Sequence, residues 1–180
     1  MVAAPEFSRL LEVGTITPDR ERREKVEATA EECAALARRF DLRSLSGLKG
    51  NLTILRISEG KLIRVRGDME ADVVQSCVVS LQDVPARIQI PFDTSFTEDG
   101  EEVFDADMEF DLELEEDPHE VMYNGIIDMG ELVAQYLSLE LDPYPRAPGV
   151  SLAAQLAETG TAPKNRPFQV LQGLKSEKDE

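Results

Sequence analysis

The chain has no tryptophan, one histidine, two cysteines and only ten phenylalanine and tyrosine residues among 180. Each shortage closes off a class of function. Cys33 and Cys77 lie far apart and are too few for a disulfide framework. With His119 as the sole imidazole, they cannot complete a four-ligand zinc site without a carboxylate. Both cysteines are read as reduced, packed core or strand residues. His119 follows Pro118 beside an acidic loop, which reads as a surface position and not as a general base. No GxSxG elbow, glycine-rich phosphate loop or GxGxxG turn occurs. The D-x-[DN]-x-[DN]-G spacing of an EF-hand is missing as well. The expectation is a protein that is not an enzyme and holds no cofactor and no metal.

Long apolar runs are also missing. No stretch approaches the roughly 20 apolar residues that span a bilayer. The opening Met1 to Val13 lacks the basic-then-apolar pattern of a secretory leader. This predicts a cytoplasmic, non-secreted chain with no membrane partner. What the chain does have is 42% apolar residues, enough for a core of Val, Leu, Ile, Met and Phe in one domain of this length.

Its formal net charge is −17. Residues 98–120 hold 13 Asp and Glu and no Lys or Arg, so the rest of the chain sums to only −4. Residues 1–66 run the other way, with 13 Lys and Arg against 10 Asp and Glu. Such polarity repels phosphate backbones in the middle of the chain and attracts basic partners there. A merely solvated, solubilising face is the plain alternative.

Periodicity places the elements. Glu6 to Val13 reads as a first strand and Glu24 to Ala28 as a second. Thr29 and Glu32 form a capping box ahead of a helix whose inner face is Cys33, Leu36, Ala37 and Phe40. Arg38, Arg39 and Arg43 crowd its C-terminal end, where positive charge suits the helix dipole. Leu52 to Ile57 is strand-like, Ser58-Glu59-Gly60 a hairpin turn, and Lys61 to about Val79 a long strand kinked near Gly67. Leu81 to Pro85 makes a connection before a strand carrying Ala86, Ile88, Ile90 and Phe92. Pro85 and Pro91 mark that strand as an edge or a bulge.

Met108, Phe110, Leu112 and Leu114 alternate with Asp107, Glu109, Asp111, Glu113 and Glu115. A strand here puts four apolar side chains inward and five carboxylates outward, roughly 6.5–7 Å apart along the face. They point in parallel, which suits a charged ridge and not a chelate. Asp128 caps a second helix, Glu131 closes its box, Ile127 staples onto Leu132, and Asp142 to Pro145 ends it. The fold class is α+β: a curved antiparallel sheet or open barrel of about six strands with two main helices, one after the second strand and one after the last. Residues 1–160 form a single domain. Residues 161–180 are a linker, a short amphipathic segment from Phe168 to Leu174 and a frayed tail.

Two segments together resemble a known family. One is Val73 to Leu81 followed by Val84-Pro85-Ala86-Arg87-Ile88; the other is Ile127 to Val133 through Leu139 to Pro145. In this order and spacing they resemble the YceD family of large ribosomal RNA subunit accumulation proteins, in its alphaproteobacterial form, to which Glu6-Phe7-Ser8-Arg9 and Arg166-Pro167-Phe168 are also similar. The residues carrying the resemblance are Cys77, Leu81, Asp128, Glu131, Leu139, Pro143 and Pro145. Many relatives carry Cys-x-Arg-Cys where this chain has Cys77-Val78-Val79-Ser80, so no paired-cysteine role carries over.

The resemblance implies a non-enzymatic role in ribosome biogenesis. Combined with the charge, it implies a monomer that binds a basic ribosomal protein, or docks on a pre-ribosomal particle, through Asp107, Glu109, Asp111, Glu113 and Glu115. The alternative is direct RNA contact through Arg20, Arg22, Arg23, Lys25, Arg38, Arg39 and Arg43. A third class is a scaffold subunit pairing through an exposed edge at Pro85 to Phe92.

Overall fold

The computed structural model describes residues 5–18, 20–57, 62–97 and 120–151. The described elements run β1 (Leu10–Glu12), β2 (Arg22–Glu27), α1 (Ala30–Arg39), β3 (Ser44–Ile57), β4 (Leu62–Ser76), β5 (Asp83–Thr97), β6 (Glu120–Val121), β7 (Ile126–Asp128) and α2 (Met129–Glu140). Strands β2 to β6 form an open sheet in sequence order, and β1 pairs with β7 in a second, two-stranded sheet. The large sheet is mixed, because β6 runs parallel to β5 while every other pairing is antiparallel. This is the α+β architecture expected, with α1 following the second strand and α2 the last.

The sheet has one dry and one wet face. Ile63, Val65, Met69, Ala71 and Val73 of β4 turn inward, as their alternation predicts. Leu52 and Ile54 of β3 and Phe92 and Phe96 of β5 join them. Both helices cover this face. Helix α1 contributes Cys33, Leu36 and Ala37, and α2 contributes Leu132, Val133, Ala134 and Leu137. Phe92 and Tyr136 stack with ring centroids 4.3 Å apart. Each such aliphatic side chain stabilises the fold by about 1.5–3 kcal/mol over an exposed one.

The outer face carries Arg64, Arg66, Asp68, Glu70 and Asp72 of β4 among oppositely charged neighbours. Arg64 and Arg66 both reach Asp93. Lys49 and Arg87 both reach Glu70, and Asn51 donates to Asp68.

Several elements differ from expectation. The first strand covers only Leu10–Glu12, because Phe7 to Arg9 lie against the start of α2 instead. Arg9 N–H donates to Asp128 and Met129 N–H donates to the Arg9 carbonyl. Strand β3 begins eight residues earlier than its apolar run suggests. Its glycines do not break it. Gly47, at φ +64°, sits in the one register shift of the β3–β4 pairing, and Gly50 leaves room for Val133, which a Cβ would meet at 2.9 Å. Pairing passes through Gly67 with no shift on either side. There the missing Cβ makes space for Leu52 and Phe92. Strand β4 stops at Ser76, where the chain turns, and β5 already includes Pro85, opposite Val74.

The capping box of α1 forms as the sequence predicts, with Thr29 and Glu32 bonded reciprocally. Asp128 caps α2 by accepting from Gly130 and Glu131. Glu131 closes no box there: its carboxylate takes two N–H groups of Arg39, at 2.6 and 2.9 Å. Ile127 and Leu132, the expected staple pair, are both buried in the core cluster.

Candidate functional site

The five alternating carboxylates Asp107, Glu109, Asp111, Glu113 and Glu115 lie outside the described residues, as does His119. The residues on either side are described. Phe96 pairs with Glu120 and Thr97 with Val121. Met122 N–H donates to the Thr97 carbonyl at 2.9 Å. The described residues on either side of the acidic stretch therefore meet at one place, the end of β5. The next turn, Tyr123 to Ile126, places Asn124 and Gly125 at φ +57° and +64°. That is the backbone of a type I′ hairpin, and it explains why Asn-Gly stands there.

The residues that carry the family resemblance divide between the two ends of α2, about 18 Å apart. Asp128 and Glu131 hold its N-terminus. Beyond its C-terminus, Pro143 and Pro145 sit in a segment docked on the β4–β5 connection. Val78 N–H donates to the Pro145 carbonyl at 2.9 Å, and Gln75 donates to the Asp142 carbonyl at 2.9 Å.

Cys77 is the joint between them. Its Sγ accepts the N–H of Ser80 at 3.4 Å and of Ala147 at 3.3 Å. Its own N–H donates to Gln82, and its carbonyl accepts from Leu81, at 2.8 and 3.0 Å. Leu81 is held at φ +60°, a left-handed conformation that a leucine rarely adopts, with its side chain in solvent. The Ser80 side chain and then the N–H groups of Ala147, Ser80 and Val79 pull the Cys77 thiol down to about 6, against the opposing effect of burial. The thiol itself is inaccessible, with none of Cys77 exposed. The arrangement fits a structural sulfur acceptor.

The basic candidates are distributed and largely paired. On β2, Arg22 binds Glu24 at 2.6 Å, Arg23 reaches Glu21 at 3.5 Å, and Lys25 reaches Glu27 at 3.4 Å. Arg43 approaches Asp83 at 3.9 Å. Arg39 lies between Glu6 and Glu131 and ties α1, α2 and the N-terminal segment together. Those carboxylates, Glu131 first, hold its guanidinium protonated well beyond its ordinary range. Among the described residues Arg20 and Arg38 make no ion pair.

Arg9, which the sequence marks only through the Glu6-Phe7-Ser8-Arg9 resemblance, bridges to Glu32 with two N–H groups at 2.8 and 2.9 Å. Arg9 then holds the Glu32 carboxyl down at about 2, helped by the Thr29 cap. No local spacing announces a pair 23 residues apart. Among the described residues no group of three or more His, Cys, Asp or Glu side chains could hold a metal ion. No described helix is long and apolar enough to cross a membrane.

Comparison with known proteins bears on the motif cluster directly. The family described as "Large ribosomal RNA subunit accumulation protein YceD" matches residues 65–175, a span that holds the Cys77 joint, the acidic stretch and all of α2. Neither the curated proteins nor the solved structures compared contain a match. The matched span is more than half of the chain, and the chain belongs to the YceD family of large ribosomal RNA subunit accumulation proteins.

Proposed function

We propose that the protein serves large-subunit ribosomal RNA accumulation, the role its family is named for, by binding a basic ribosomal protein through the carboxylates of Asp107, Glu109, Asp111, Glu113 and Glu115. The observation that carries this reading is a contrast in pairing. Five of the seven cations that could meet RNA already face a carboxylate: Arg22, Arg23, Lys25, Arg39 and Arg43. The stretch 98–120 contains no cation to neutralise its 13 carboxylates. A field of that sign repels RNA phosphates and recruits a basic protein. The acidic stretch also lies inside the span matched by the family, whereas the seven cations precede it.

The test is capture of purified basic large-subunit ribosomal proteins across a salt series. Asp107→Asn, Glu109→Gln, Asp111→Asn, Glu113→Gln and Glu115→Gln together should abolish capture at low salt and flatten its salt dependence. The reading fails if capture survives those changes while Arg20→Ala with Arg38→Ala abolishes association with ribosomal RNA.

A further inference from the structure

The described surface exposes eight large apolar side chains; three of them sit on the two segments that Cys77 joins and a fourth at the end of α2. Val78 and Leu81, on the β4–β5 connection, are 49% and 70% exposed. Leu139 and Tyr144, at the end of α2 and just beyond it, are 76% and 71% exposed. The two segments are held together by the Val78–Pro145, Cys77–Ala147 and Gln75–Asp142 hydrogen bonds. Exposed apolar side chains brought near one another by docked segments can form a surface for an apolar partner.

We infer that the surface formed by Val78, Leu81, Leu139 and Tyr144 is covered by the chain's own segment Phe168 to Leu174. Three observations select this occupant. The described chain stops at Ser151, four residues after Ala147, whose N–H is bonded to Cys77, so the remaining residues start from this surface. The segment has matching chemistry. Phe168, Val170, Leu171 and Leu174 lie in an uncharged run flanked by Lys164, Arg166 and Lys175. In sequence, Asp83 follows Leu81 by two residues, Glu140 follows Leu139 and Asp142 precedes Tyr144 by two, with Arg43 against Asp83 and Arg146 between Pro145 and Ala147. Finally, the family span runs on to residue 175, so it includes this segment together with the surface. Reach is no obstacle, since the 17 residues from Ser151 to Phe168 span up to about 55 Å when extended. Tethering from beside the surface raises the effective concentration of the segment there.

Disulfide trapping tests this on the full chain. Leu81→Cys with Leu171→Cys, and separately Leu139→Cys with Leu171→Cys, should form an intramolecular disulfide under mild oxidation. The rate should be at least about ten times that of Leu10→Cys with Leu171→Cys, whose first position lies on the other exposed apolar patch. A second measurement removes residues 165–180. Binding of a hydrophobic dye should rise several-fold, and Leu81→Ser with Tyr144→Ser should cancel the rise. Equal trapping at Leu10, a disulfide formed only between chains, or unchanged dye binding after truncation each overturns the inference. The between-chain product would assign the surface to a second copy.

Discussion

The basic N-terminal third and the acidic middle of this chain treat charge in opposite ways. In the first, most cations are tied to carboxylates, and the best of them act as joints. Arg39 binds two helices and the N-terminal segment at once, and Arg9 fastens that segment to the start of α1. In the second, 13 carboxylates have no cation within their stretch. A charge inside a satisfied pair contributes to the fold and little to the outer field, whereas a run of one sign adds up to a strong local field. Under the function proposed above, the first region serves the architecture and the second recognition.

The contrast breaks most visibly in partner capture. Neutralising the five carboxylates from Asp107 to Glu115 should lower capture of a basic ribosomal protein by about tenfold or more at low salt, read by pull-down. Stability should hardly move, because neutralising a row of like charges removes repulsion and no attraction between its members. A large loss of stability would place those residues inside the architecture. Gly130→Ala acts on the joint. A Cβ there would lie 2.5 Å from the Phe7 carbonyl oxygen, so α2 and the N-terminal segment must separate. A loss of about 2–3 kcal/mol in chemical denaturation is expected. Arg39→Ala should cost about 1–2 kcal/mol by removing a two-pronged carboxylate contact, and Arg23→Ala less than about 0.5. Equal effects of the two would erase the distinction between joint and surface cations.

A further effect is read in pH. The folded Cys77 thiol lies at about 6, below its ordinary value near 9. A group depressed in this way adds stability above its unfolded pKa and loses it as pH falls through its folded pKa. The stability difference between the native chain and Cys77→Ala should therefore widen from pH 6 to pH 9. A difference that stays flat across that window would show that the sulfur accepts its N–H bonds as a thiol throughout.

What the sequence revealed was local. The Thr29–Glu32 box and the Asp128 cap depend on residues at most three apart, and both are present. Alternation in β4 named its buried face because a strand repeats every two residues whatever it packs against. The beginning of β3 was hidden for the opposite reason. Gly47 and Gly50 look like breaks until Val133, more than 80 residues later, occupies the space beside Gly50. Glu131 stands where a capping box would use it, but Arg39, 92 residues earlier, offers a stronger partner. The Asn124-Gly125 turn was legible in principle, yet its flanking strands are two and three residues long and show no alternation. At the candidate site the same division holds. Cys77 and Ser80 are neighbours in sequence, but the other N–H on the sulfur comes from Ala147, 70 residues on.

The pairing of β1 with β7 also sets an order of events during synthesis. Strands β2 to β5 pair with their sequence neighbours and can assemble as each one emerges. Leu10 to Glu12 cannot, because their partners are Ile126 to Asp128. That segment must wait for the more than 100 residues up to Ile126 before its contacts exist. Closing a loop of that span is slow compared with hairpin formation. Until α2 arrives, Phe7 and the part of the inner sheet face that α2 covers are exposed together, which makes the nascent chain most prone to association in the interval before α2 is made.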